Sequence, residues 1–150
     1  MLKQSSTSET PQLTALAGDL RISVGKLVRR LREQAHSGDF TSAQKSVLLR
    51  LDRDGPATVS ALARAESVRP QSMRVTVVGL ESMKAVSGNP DPTDGRQILI
   101  DLTPSFRSAL NANRAAKEDW LLRALQAQLS SQELNDLAAA IKLLQRLADF

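Results

Sequence analysis

Residues 67–103 read SVRPQSMRVTVVGLESMKAVSGNPDPTDGRQILIDLT and hold a helix start, a change of hydrophobic period and a dense turn in quick succession. Ser67 and Val68 form a tight turn, and Pro70 suits the first position of a helix because its missing N–H would have no partner there. On that helix Met73, Val77 and Leu80 share one face, which marks them as core. Gln71, Arg74, Val75 and Val78 share another face. The period then shortens. Asn89, Pro90, Asp91, Pro92, Thr93, Asp94 and Gly95 make a turn cluster, after which Ile98, Ile100 and Leu102 alternate with Gln97, Leu99 and Asp101. That pattern predicts a β-hairpin starting at Val86 and ending at Leu102.

Outward from this stretch the helical pattern takes over. Thr58 is placed to cap a short helix carrying Val59, Leu62 and Ala63 inward, so two short helices meet at the Ser67–Val68 turn as a helix-turn-helix with the hairpin directly behind it. Thr41 with Gln44 forms a capping box ahead of the stripe Ala43, Val47, Leu48 and Leu51, and Asp54, Gly55 and Pro56 stop that helix. Further upstream, Leu13, Leu16, Leu20, Val24, Leu27 and Leu31 recur in steps of three and four, the mark of a long amphipathic helix ended by Ser37, Gly38 and Asp39. Lys26, Arg29, Arg30 and Arg32 lie on its other side and read as the solvated face of a dimerisation helix. Downstream, Thr103 and Pro104 open a long helix through Leu110, Trp120, Leu121, Leu122, Leu125 and Leu129. Trp120 reads as a core or dimer-interface residue. A last helix opens at Ser130, where Glu133 completes a second capping box, and carries Leu134, Leu137, Ile141, Leu144 and Ala148.

The expected fold is therefore mainly α: a winged helix-turn-helix with long N- and C-terminal dimerisation helices and one small β-hairpin wing. Residues 1–11, rich in Ser and Thr, read as a flexible tail. Residues 12–150 read as a single domain, with 12–37 and 104–150 for dimerisation and 41–103 as the DNA-binding winged helix. The stripes of the first and last helices are too long for a monomer of this size to hide, so a homodimer is expected.

Composition narrows the function. The chain has 150 residues, 41% of them hydrophobic, and a net charge of +4 spread along its length, which permits a polyanionic partner without demanding one. There is no cysteine and a single histidine, His36, near an expected helix end. Nucleophilic thiols, histidine pairs, thiolate or histidine metal sites and glycine-rich phosphate loops are all missing, so neither an enzyme, nor a metal, nor a cofactor is expected. No apolar run approaches a signal peptide or a membrane span, and a cytoplasmic protein without membrane contact is the reading.

A DNA reader needs an exposed helix that enters the major groove and a second element that grips the backbone. Gln71, Ser72, Arg74 and Val75 stand on the first element and Arg96 on the second. Arg69, in the turn, is placed either to contact phosphate or to complete the surface. Asp94 and Gly95 are expected to shape the wing turn, Asp94 by orienting a neighbouring cation, since a carboxylate beside phosphates is repelled.

The run from Leu62 to Thr103 resembles the MarR family of winged-helix regulators. Val68-Arg69-Pro70-Gln71-Ser72-Met73 is similar to the turn and recognition-helix start of one branch of that family, and Leu80-Glu81 to the end of that helix. Asp91-Pro92, Asp94-Gly95-Arg96, Leu99 and Leu102-Thr103 are similar to its wing. The flanking helices agree in number, order and length, so the resemblance runs from about Leu13 to Phe150. It implies a homodimer whose first, fifth and sixth helices interlock, double-stranded DNA held by the fourth helix and the wing, and a small organic effector. The implied function is a ligand-responsive repressor on a pseudo-palindromic operator. The chain departs from the pattern where Lys84 replaces a usual glycine, and where Val75 and Gly88 replace frequent basic residues. The wing keeps one cation, Arg96, so weaker or more salt-sensitive wing contact is expected. The competing reading is a helical protein–protein interaction module without sequence-specific DNA binding, which accounts for the terminal stripes but not for a wing behind a helix-turn-helix.

Overall fold

The computed structural model describes residues 9–36 and 38–150. In chain order these form α1 (Glu9–Glu33), α2 (Ser42–Asp54), α3 (Val59–Ala65), α4 (Pro70–Ser82), β1 (Val86–Pro90), β2 (Ile98–Leu102), α5 (Pro104–Gln128) and α6 (Ser131–Ala148). The result is a mainly α winged helix-turn-helix with one antiparallel hairpin. The chain divides into two compact units, Ser37–Arg114 and a second made of Met1–His36 with Ala115–Phe150.

The first unit has a closed apolar core. Val47, Leu48 and Leu51 from α2 meet Leu62 and Ala63 from α3, Met73, Val77 and Leu80 from α4, and Ala85, Val86, Ile100 and Leu102 from the hairpin. Leu51 is fully buried, and Leu51→Ala would cost about 2–5 kcal/mol because the surroundings only partly close the cavity. Local chemistry sets the helix ends. The Thr41 hydroxyl accepts the Gln44 N–H at 3.2 Å while the Gln44 side chain accepts the Thr41 N–H at 2.9 Å, as the capping box predicts. Thr58 likewise accepts the Ala61 N–H at 3.1 Å.

The helices α3 and α4 stop by the same device. Ser67 and Lys84 adopt left-handed backbone, with φ of 55° and 57°. Val68 N–H then reaches the Ala63 carbonyl and Ala85 N–H the Leu80 carbonyl, each at 3.0 Å, closing a Schellman motif over carbonyls otherwise left without donors.

The hairpin pairs Val86 with Leu102 through Pro90 with Ile98. The strand reaches Pro90, two residues into the expected turn cluster. At the other edge Ala57 makes a one-residue bridge, exchanging bonds with Ile100 at 3.0 and 2.8 Å, which the sequence pattern gives no hint of. Thr103 joins the hairpin to its surroundings: its N–H donates to the Ala85 carbonyl, its hydroxyl donates to the Lys84 carbonyl, and the same hydroxyl accepts the Phe106 N–H that opens α5. Asp52 of α2, largely buried, pairs with Arg107 and Arg114 of α5, and Arg107 also reaches Asp101 of β2 at 3.1 Å.

In the second unit the Ser130–Glu133 capping box forms as predicted, and the bond from the Ser130 N–H holds the Glu133 carboxyl below its usual range. The Arg30 guanidinium sits 5.7 Å from the centroid of the half-buried Trp120 ring. None of the described residues of this unit is buried, and Leu13, Leu16 and Leu147 are each more than 60% exposed. The expected tail needs correcting at its end: residues 1–8 lie outside the described residues, but residues 9–11 belong to α1. Pro11 is tolerated because it falls in the first turn, where its N–H is not needed. The helix ends at Glu33, short of residue 37, which also lies outside the described residues. Among the described residues no helix is long and apolar enough to cross a membrane.

Candidate nucleic-acid interface

The recognition face of α4 follows from what the helix buries. With Met73, Val77 and Leu80 committed to the core, Gln71, Ser72, Arg74, Val75 and Val78 are turned to solvent. Arg69 caps the helix through its backbone alone, leaving its exposed side chain free of any capping bond.

The wing turn is built by two aspartates. Asp91 accepts both the N–H and the hydroxyl of Thr93 at 2.8 Å, and these bonds, the backbone one first, hold its carboxyl below the usual range. Asp94 accepts the Arg96 N–H at 3.1 Å with its side chain, and its carbonyl accepts the Gln97 N–H at 3.0 Å. Asp94 thus orients Arg96 through the backbone, not by pairing with the guanidinium. The expected role of Gly95 has no conformational basis: its φ is not left-handed, and a Cβ built there would meet nothing within 4 Å.

Arg74 and Arg96, 22 positions apart in the sequence, line one open cleft of about 490 Å³ between α3, α4 and the hairpin. Arg64 of α3 lines it too, with Glu81 and Val78. Sequence reading missed Arg64, because only the packing of α3 on α4 decides which side of so short a helix faces the wing. Arg69, Gln71, Ser72 and Val75 lie outside this cleft.

The eight arginines of the Ser37–Arg114 unit separate cleanly. Arg50, Arg53, Arg107 and Arg114 are held by carboxylates. Among the described residues Arg64, Arg69, Arg74 and Arg96 have no acidic partner, and all four lie on α3, the turn, α4 or the wing.

No family model matches the chain. Over 134 residues it is 37% identical to an uncharacterized HTH-type transcriptional regulator of Mycobacterium bovis, covering 89% of this chain and 93% of that protein. It is 30% identical over 120 residues to the HTH-type transcriptional repressor NicR of Pseudomonas putida, covering 75% of each. A crystal structure of a transcriptional regulator from Pseudomonas aeruginosa superposes with a TM-score of 0.77 at 38% identity, over 93% of this chain and 97% of that one. The chain belongs to the MarR family of winged helix-turn-helix transcriptional regulators.

Against the MarR pattern, the structure gives two of the departures a physical meaning. Lys84 occupies the left-handed position at which the family's usual glycine is free of steric cost. Gly88 stands where a basic residue is frequent, but a Cβ there would lie 2.8 Å from Ile98 Cγ2 and 3.4 Å from Ile100 Cδ1. A lysine at this strand position would require Ile98, diagonal to Gly88 across the hairpin, to move.

Proposed function

We propose that this MarR-family regulator acts in the cytoplasm as a homodimer that binds a pseudo-palindromic operator, with α4 of each subunit in the major groove and the wing on the adjoining backbone. The observation that carries the reading is the division of the arginines: of the four without carboxylate partners among the described residues, Arg64, Arg74 and Arg96 line one cleft between α3, α4 and the wing, and Arg69 stands at the start of α4. Arg74 and Gln71, with Ser72, are the base-edge donors, since guanidinium and carboxamide groups match guanine and adenine edges. Arg96, Arg64 and Arg69 neutralise phosphates. Val75 contacts bases, Asp94 sets the wing turn, and neither a metal nor a cofactor takes part. Dimerisation rests on the unburied apolar side chains of α1 and α6, which a 25-residue and an 18-residue helix need to cover to be stable.

The operator sequence is found by selecting bound duplexes from a random pool. The purified protein is expected to prefer the selected duplex to a scrambled one, with an affinity that falls linearly in log–log form as salt is raised. Equal, salt-insensitive binding to both would leave a helical interaction module as the better reading.

Repression is supported by the NicR relationship. Response to a small organic effector, aromatic or amphipathic, is supported by the family pattern. Such an effector must bind the DNA-incompetent state more tightly, and by linkage operator DNA must weaken it equally. Calorimetric titrations with and without operator that gave equal affinities would make the molecule a passenger.

A further inference from the structure

Helix α4 contains a run that intrinsic preference disfavours: Val75, Thr76, Val77 and Val78 are four consecutive β-branched residues in its middle. Each loses rotamer freedom against the preceding turn. Two of the four have a structural role. Val77 is in the core, and the Thr76 hydroxyl donates to the Ser72 carbonyl at 3.2 Å. Val75 has none. It is 74% exposed and is not part of the core. A solitary exposed valine elsewhere on a surface carries no message. Val75 differs by position, one turn after Gln71 and next to Arg74, on the leading half of a helix whose N-terminal residues reach base edges in this class of fold.

A branched hydrocarbon there cannot answer the donors and acceptors that line most of the major groove. One major-groove feature is hydrocarbon, the C5-methyl group of thymine, and contact with it removes both apolar surfaces from water. Val78 is a weaker candidate, being 56% exposed, one turn later and part of the cleft beside the wing.

We infer that Val75 is a specificity-determining residue that packs on a thymine methyl, so that each operator half-site carries a thymine beside the base pair read by Arg74. This rests on the proposed DNA-binding role of α4 and adds the base chemistry to it.

The test replaces the thymines of the selected half-site one at a time with deoxyuridine, which deletes the methyl group and leaves base pairing intact. Binding is measured by fluorescence anisotropy at two salt concentrations. For the unaltered protein one substitution is expected to weaken binding about fourfold, the worth of one buried methyl group. That factor should be the same at both salt concentrations, because no counterion is released by an apolar contact. In Val75→Ala, whose exposed site leaves folding intact, the thymine and deoxyuridine duplexes are expected to bind alike. The inference is overturned if every deoxyuridine duplex binds the unaltered protein normally. It is equally overturned if Val75→Ala keeps the penalty while Val78→Ala loses it. Failure of selection to yield any preferred duplex would instead overturn the DNA-reading role itself, so the two failures are distinct.

Discussion

Arg50 Nε donates to Glu66 Oε1 at 2.7 Å, and the Ser46 hydroxyl donates to the other oxygen of the same carboxylate at 2.7 Å. Glu66 caps the end of α3, so this cluster clamps the start of the recognition turn to α2. The Ser46 bond first, and the Arg50 bond next, hold the Glu66 carboxyl below its usual range against the opposing effect of burial. Because the folded-state value lies below the unfolded one, the contribution to stability is complete above the usual carboxylate range. It is lost as pH falls through the folded value. Glu66→Gln is therefore expected to lower stability by about 1–3 kcal/mol at neutral pH, the worth of hydrogen bonds to a charged group. The gap to the unaltered protein should close on acidification, as urea denaturation at a series of pH values would record. A gap independent of pH would contradict the assignment.

At Lys84 a left-handed residue ends α4, and glycine would remove the clash between Cβ and carbonyl that a lysine meets there. Lys84→Gly is expected to raise stability by about 0.5–1 kcal/mol after the entropy cost of glycine is subtracted. Lys84→Ala should give no gain. Thermal unfolding at a fixed protein concentration distinguishes them, and a lower midpoint for the glycine variant would show that the lysine side chain itself stabilises the fold.

The two cleft arginines are expected to act differently although they share a surface. Arg74→Ala should weaken binding mainly at one base position in each half-site, by about 1–3 kcal/mol. Arg96→Ala should weaken binding to all sequences and flatten the salt slope by about one unit for each phosphate no longer neutralised. Arg64→Ala should behave like Arg96→Ala. Unchanged operator affinity in all three would remove the cleft from the interface.

Light scattering at micromolar concentration is expected to give twice the mass of the chain, and the midpoint of thermal unfolding should rise with protein concentration, as it does when folding and association are coupled. A monomer that kept its full helical circular dichroism would refute the dimer.

By itself the sequence determined the starts of α2 to α6, the hairpin and the face of α4 that is buried, but not the ends of α1. Capping boxes at Thr41 and Ser130, Pro70 at a helix start and the switch from Val77–Leu80 spacing to Ile98–Ile100 alternation all act within a few residues, where backbone geometry alone sets which groups meet. At Lys84 the sequence shows only a departure from the family's glycine, and the left-handed backbone is a finding of the structure. Tertiary structure alone decided which cations are committed: Arg107 joins Asp52 to Asp101, Arg50 holds Glu66, and Arg64 comes round to Arg74 and Arg96. It also made Ala57 a partner of Ile100 across 43 positions. Such pairings depend on the angle at which helices pack and on the rotamer each long side chain finds, and neither is written in local spacing.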